Sequence, residues 1–347
     1  MKTLFLTVML AATAVHRGPA PEETRTFGDW IVGCDNLGAC TAVSLADGKR
    51  EQDPAQLVIR WNGARGAQPR LELAPPGEAD GWYLSVDGKL VTRGTASWSG
   101  LSARRLIGQM IRGQRLEINS PLGLEVQNSS LSGLTAALLF IEDRQGRVGT
   151  SESIIRPGPR QPGPLRTAPA VLHTPPRSSL PPPAIDAAPL FANDGCDEES
   201  LESDLPQIVR LDPKSTLVLV RWRCGHGAYN FHFNVMIADN TGRMRPAELD
   251  FPGGLSGERD GNDLTNAGWD AERRRLTSHP LGRGIGDCGV HNEYVWDGTL
   301  FRLALRTVMP ECRGARHFIP TWTASITARV AFNSTPAYVR YAEQWSS

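Results

Sequence analysis

Most of the chain is a succession of short runs in which apolar and polar residues alternate, each broken by glycine, proline, asparagine or aspartate. Before residue 157 such runs fall at Asp29 to Gly33, Gln56 to Trp61, Arg70 to Leu73, Trp82 to Val86, Arg115 to Ile118, Gly123 to Gln127 and Ala137 to Ile141. A period of two sends successive side chains to opposite faces of a strand, so these runs predict half-buried strands. The turn formers at Val86-Asp87-Gly88-Lys89 and Glu142-Asp143-Arg144-Gln145-Gly146 predict reversals between them. After residue 190 the pattern resumes at Leu217 to Trp222, Asn230 to Ile237 and Trp269 to Thr277. Val290 to Trp296 and Thr299 to Thr307 then flank Asp297-Gly298, a pair suited to a two-residue hairpin turn. One helix is predicted over Ser102 to Met110, with Leu106 and Met110 four residues apart and Ser102 as its cap. Leu131 to Leu139 reads as a helix passing into the apolar strand that ends at Ile141. The predicted fold is mainly β, two antiparallel sandwich-like or barrel-like domains with one or two short helices.

A change of composition separates these domains. Pro157 to Pro189 holds eleven of the chain's 26 prolines, and a stretch with so little apolar surface reads as an extended, semi-rigid spacer. The organisation expected is therefore a leader at 1–20, an N-terminal β domain at 27–156, a proline-rich linker at 157–190 and a C-terminal β domain at 191–347. Cleavage in the linker is expected to release two folded pieces. Ile141-Glu142-Asp143-Arg144-Gln145-Gly146-Arg147 and Ile237-Ala238-Asp239-Asn240-Thr241-Gly242-Arg243 share an apolar strand end, an Asp, a Gly three later and an Arg, which suggests the same hairpin loop in each domain.

The leader and the cysteines together assign a compartment. Lys2, the apolar run Leu4 to Val15 and the small-residue series Ala12-Thr13-Ala14 have the layout of an export signal cleaved near 14–20, and that run is too short to span a bilayer. Six cysteines in an exported chain read first as disulfides. Cys34 and Cys40 flank the turn-rich Asp35-Asn36-Leu37-Gly38-Ala39, and the hairpin around Asp297-Gly298 returns the chain from Cys288 toward Cys312. Those two pairings leave Cys196 with Cys224. A zinc site drawing on Cys224, His226, Cys288 or Cys312 is the alternative, without any paired C-x-x-C or H-x-x-x-H spacing to support it.

Charge and motifs narrow the function classes. The chain has 37 basic and 37 acidic residues, a balance that argues against nucleic-acid partners and anionic surfaces. No nucleophile elbow, metalloprotease or phosphate-loop motif occurs, and no cofactor or metal is expected. Gly284 to Gly289 matches G-x-G-x-x-G, but it contains a cysteine and leads into a strand, so it is not a dinucleotide loop. The same block, Gly282-Arg283-Gly284-Ile285-Gly286-Asp287-Cys288-Gly289, is nevertheless the candidate site. Four glycines in eight residues mark a sharp bend or a close approach, Arg283 and Asp287 offer a charged pair, Trp296 an aromatic face, and Asn230 is expected beside them.

The block also carries a resemblance. Together with Val295-Trp296-Asp297-Gly298, Phe301-Arg302-Leu303 and Cys312-Arg313-Gly314 it resembles the exported proteobacterial family known as domain of unknown function 1176. Phe27-Gly28-Asp29-Trp30 before Cys34, the stretch Gly133 to Thr150 with Asp143-Arg144-Gln145-Gly146-Arg147, and Cys224-Gly225 leading to Tyr229-Asn230 agree with that family. The N-terminal half is similar in layout to invasion-associated locus B proteins of the cell envelope. The resemblance implies location and fold and brings no catalytic residue with it.

A scaffold of sheets with loops and no convergent acid, base or nucleophile suits binding better than turnover. The expectation is a periplasmic or envelope-associated, non-catalytic binding protein whose partner is an envelope protein or glycan. The alternatives are an envelope glycan hydrolase, using Glu142 with Asp143 or Asp287 with Glu293 across a gap of about 5 to 10 Å, and an inhibitor of a foreign hydrolase acting through Arg283.

Overall fold

The computed structural model describes residues 21–47, 55–74, 82–163, 170–186, 205–222, 227–250 and 262–328. The leader, Cys196 and Cys224 lie outside them. In the N-terminal half the strands are β1 Arg25–Phe27, β2 Trp30–Cys34, β3 Cys40–Ser44, β4 Gln56–Trp61, β5 Arg70–Ala74, β6 Tyr83–Val86, β7 Lys89–Arg93, β8 Ser97–Ser99, β9 Arg115–Asn119 and β10 Glu125–Ser130, with helices α1 Gly100–Met110 and α2 Leu134–Arg144. They form one sheet of order β1-β2-β3-β4-β5-β8 and a second of order β10-β9-β6-β7. Trp30, Val32, Leu57, Ile59 and Trp61 from the first sheet meet Leu84, Leu116 and Ile118 from the second. Leu106 and Met110 of α1 and Leu134, Leu138 and Ile141 of α2 complete that core.

The C-terminal half contains β12 Gln207–Arg210, β13 Thr216–Arg221, β14 His232–Ala238, β15 Met244–Pro246, β16 Asp263–Thr265, β17 Gly268–Asp270, β18 Arg275–Ser278, β19 Gly289–Trp296, β20 Phe301–Met309 and β21 Ile319–Ala328; β11, Ala170–Thr174, precedes them. One sheet runs β12-β13-β14-β15 with β16 beside β14, the other β11-β21-β20-β19-β18-β17. Leu217, Leu219, Val235 and Ile237 of the former pack on Leu276, Tyr294, Trp296, Phe301 and Leu303 of the latter. Each half is thus a pair of packed sheets, and none of the four sheets closes into a barrel.

The first sheet is buried on both faces. The residues of β2 and β3 that do not face the N-terminal core, Ile31 and Val43, join Leu45 and Val58 in a cluster with Cys288, Met309, Ala315 and Ile319 from the C-terminal half. Polar contacts surround it. Arg313 donates from Nε to Ala46 O (2.7 Å), from Nη1 to Gly28 O (3.1 Å) and from Nη2 to Asp29 Oδ1 (2.5 Å). The Asn36 amide both donates to Thr323 O (3.1 Å) and accepts from Thr323 N (2.8 Å), while Gln56 Oε1 accepts from Arg316 N (3.0 Å) and pairs with His317 Nδ1 at 2.7 Å. The FGDW and CRG blocks at opposite ends of the chain therefore meet at this seam.

The proline-rich segment is more than a spacer where it is described. β11 pairs in parallel with β21, from Ala170 opposite Ala324 to Thr174 opposite Ala328. Beyond it, Arg274 Nη1 donates to Pro175 O (3.4 Å) and Arg210 Nη2 to Pro181 O (2.7 Å), and Ile185 packs on the outer face of β13 and β14 against Val218, Val220, Met236 and Ala238. A segment with few apolar side chains is held here through its carbonyls, which proline retains.

Several local expectations change. Ala137 to Ile141 is helix, since Leu134, Ala137, Leu138 and Ile141 fall on one buried stripe of α2. The Asp143 segment consequently ends a helix, and the resemblance to the β14–β15 loop is one of sequence only. In that loop Asp239 Oδ1 accepts from Thr241 N (2.8 Å) and Arg243 N (3.2 Å). Ser102 lies inside α1, which begins at Gly100; its hydroxyl donates back to Ser99 O (2.8 Å). Trp269 to Thr277 is the hairpin β17–β18, and the turn after Trp296 has four residues, with Trp296 opposite Phe301. Asp297 Oδ1 closes that turn by accepting from Thr299 N (2.8 Å) and Leu300 N (3.0 Å).

Candidate functional site

Disulfides Cys34–Cys40 and Cys288–Cys312 form as the sequence suggests, so the sulfurs of Cys288 and Cys312 are bonded to each other and not available to a metal. The second disulfide staples the glycine-rich block. Gly282 N donates to Cys288 O (2.8 Å), and a Cβ at Gly282 would stand 2.7 Å from Cys288 Sγ. Gly289 has φ +148°, and a Cβ there would lie 2.4 Å from Pro280 O. Two of the four glycines are thus explained by a tight return of chain on itself.

The charged pair of the block is closed on itself, with Asp287 buried and Arg283 exposed. Arg283 donates from Nε to Asp287 Oδ1 (2.6 Å) and from Nη2 to Oδ2 (2.5 Å), and Gly314 N donates to Oδ2 (2.7 Å). These bonds, Arg283's foremost, hold the Asp287 carboxyl below its ordinary range although burial works against them. Asn230 lies beside the block: its amide donates to Leu281 O and accepts from Leu281 N, both 2.9 Å, and accepts also from Asn266 Nδ2 (3.0 Å). Trp296 does not join them. It is 3 % exposed and packs on Phe301, and its Nε1 donates to Asp212 Oδ2 (2.6 Å). Gly289 and Trp296 are the two ends of the eight-residue β19, about 23 Å apart at 3.3 Å per residue. The block is a stapled crossover, with Asn230, Arg283 and Asp287 bonded into its frame, and the ring beside it is that of Tyr229, against Gly284, not that of Trp296.

The carboxylate pairs are likewise engaged. Glu142 is fully buried; Ser153 Oγ donates to its Oε2 (2.5 Å), and Ile154 N and Ile155 N donate to its Oε1, the latter at 3.0 Å. Glu293 accepts from Arg273 Nη1 (2.9 Å) and Nη2 (2.7 Å), with His291 Nε2 at 3.5 Å, and its carboxyl is held low, first by His291 and then by Arg273 against burial. Neither pair presents an acid and a base to a shared space.

The end of α2 does face a space. In the Asp143 to Arg147 segment, Arg147 is 1 % exposed, stacks 4.8 Å over the Trp61 ring, pairs with Glu152 and donates from Nη2 to Asn62 O (2.9 Å) and Ala64 O (2.8 Å). Gln145 Nε2 donates to Gly38 O (2.8 Å) and Trp61 O (2.7 Å), and Arg144 pairs with Glu22. These bonds draw the Cys34–Cys40 loop and the end of β4 onto the helix terminus and leave a cavity of about 340 Å³. Leu37, Gly38, Gly63, Asp143, Gly146 and Gly163 line it with Arg144 and Gln145. Asp143 is exposed, and its carboxylate has no partner among the described residues. The sequence pairs Asp143 only with Glu142; nothing in its spacing brings residues 37, 63 and 163 to it.

No solved structure matches the chain. It is 28% identical over 340 residues to the uncharacterized protein YpfG of Escherichia coli (strain K12), covering 89% of this chain and 93% of that protein. A family model described as "Protein of unknown function (DUF1176)" matches residues 24–329, so the chain belongs to that family.

Proposed function

We propose that the protein is an exported, envelope-associated binding protein that acts without turnover and holds its ligand in the cavity at the end of α2. One contrast carries the reading. The Glu142, Asp287 and Glu293 carboxylates and the Arg147 and Arg283 guanidinium groups are tied to internal partners, whereas Asp143 is unpaired and faces a cavity. Acid–base catalysis needs a group free to exchange a proton within reach of a second one; binding needs only a shaped, partly polar recess. Two disulfides suit an oxidising compartment, and no helix among the described residues is long and apolar enough to cross a membrane.

The test is capture of envelope material by the immobilised chain, with protein and glycan fractions analysed separately, compared with Gly163→Trp. Gly163 lines the cavity and a Cβ there would meet nothing within 4 Å, so the site accepts a side chain, and a bulky indole is the test of that wall. Capture should disappear. Unchanged capture by the filled variant, or glycan cleavage by the wild type that Glu293→Gln abolishes, overturns the reading.

A further inference from the structure

The unpaired carboxylate is at the wrong end of its helix. Asp143 occupies the last turn of α2, where the backbone carbonyls already concentrate negative charge and a basic residue is favoured. The helix gains nothing from it. No serine, amide or arginine among the described residues comes to it, although every other side chain of the segment from Arg144 to Arg147 finds a partner. Among the described residues the basic groups nearby are occupied: Arg144 by Glu22 and the Phe140 ring, Arg147 by Glu152 and Trp61, and Arg65, next but one to Gly63, by Gln161 Oε1 at 2.9 Å. The uncompensated charge that the described residues bring to the cavity is thus negative, the sum of Asp143 and the helix terminus.

The remaining walls suit a small group with an apolar part. Gly38, Gly63, Gly146 and Gly163 present bare backbone, and Leu37 supplies apolar surface. About 340 Å³ is near the lower limit for sites that enclose a drug-sized molecule and ample for one extended side chain. Lysine and arginine combine an apolar stem with a cationic head, which matches Leu37 on the wall and Asp143 at the charged end. Resting on the binding function above, we infer that the cavity receives the side chain of a lysine or arginine presented by a protein partner, with its ammonium or guanidinium group on the Asp143 carboxylate.

The experiment uses the intact oxidised chain and small probes. Nα-acetyl-lysine amide and Nα-acetyl-arginine amide are titrated by NMR, following the amide signals of Gly38, Gly63 and Gly146, beside Nα-acetyl-norleucine amide, which keeps the stem and lacks the charge, and glucosamine, a cation on a sugar. The cationic amides should shift those signals saturably, the norleucine probe at least tenfold more weakly. Asp143→Asn should lose at least tenfold in affinity for the cationic probes while melting no lower than wild type, a result a structural role for Asp143 would not give. Equal binding of lysine and norleucine probes, unchanged binding by Asp143→Asn, or preference for glucosamine refutes the inference. Gly163→Trp separates the two levels: if it abolishes envelope capture and Asp143→Asn does not, the cavity binds something other than a basic side chain, and if neither variant matters the cavity is not the site.

Discussion

Arg313 is the point where the seam between the halves is most open to test. Its side chain donates to Ala46 O, Gly28 O and Asp29 Oδ1, and Arg313→Ala strips all three acceptors of their donor while leaving the backbone bond from Ala46 N to Arg313 O (3.0 Å) in place. Hydrogen bonds to a charged group contribute about 1.5 to 3 kcal/mol each. The side chains of Arg313 and Asp29 are 26% and 19% exposed, so water takes over part of the work and the ion pair itself adds little. The loss expected is about 3 kcal/mol, which for a chain of 347 residues lowers the melting temperature by about 4 °C. Arg313→Lys keeps the charge but not the fork and should lose about half as much. Calorimetry on these variants, with Arg112→Ala as an exposed control, measures the effect, and hydrogen exchange locates it, since amides of β2 and β3 should exchange faster. A melting point for Arg313→Ala within 1 °C of wild type would falsify the claim that this side chain clamps the halves together.

Other outcomes follow from the same structure. Glu142→Gln turns an amide donor toward donors from Ser153, Ile154 and Ile155 and should cost about 3 kcal/mol, read as a lower urea midpoint; an unchanged midpoint would contradict the buried role. A protease site engineered at 164–169 and cut should leave two fragments that elute together on gel filtration, because the cluster of Ile31, Val43, Met309 and Ile319 joins them; separate elution in native buffer would show the seam too weak to hold. Burial, with His291 adding, lowers the pKa of His279, and burial with Arg60 lowers that of His317. The unfolded chain therefore takes up these protons first, so stability falls as pH drops from about 6.5 toward the folded-state values and is unaffected by them above that. His279→Phe should flatten the decline in urea midpoint between pH 7 and 5, and an acid-induced rise in the wild type would reverse the sign of the argument.

Strand positions were legible where one face is buried and turns are chemically marked. β4 spans Gln56 to Trp61 as the alternation predicts, and the first and third disulfide pairings follow from local turns. The run Leu134 to Ile141 misleads because a short apolar stretch fits a buried strand or a buried helix equally well by period; the i, i+3, i+4, i+7 placing of Leu134, Ala137, Leu138 and Ile141 is the helical signal. The seam was written in Ile31, Val43 and Val58, apolar on the face where alternation calls for polar residues, as befits strands buried on both sides. Their partners are more than 200 residues away, and no local pattern names them. The same distance hides the site. Asp212 draws Trp296 inward from 84 residues off, and the cavity at Asp143 is made by three loops that only the folded chain assembles.

The doubly covered sheet also sets an order of events for a chain made from its N-terminus. β2, β3 and β4 are synthesised long before the Cys288 to Ile319 region that covers their outer face, so Ile31, Val43, Leu45 and Val58 stay bare until about the last sixth of the protein emerges. Contacts of such long range make folding slow and leave a sticky intermediate. An N-terminal half made alone leaves Ile31, Val43, Leu45 and Val58 without their cover, and so does a chain truncated before Cys288.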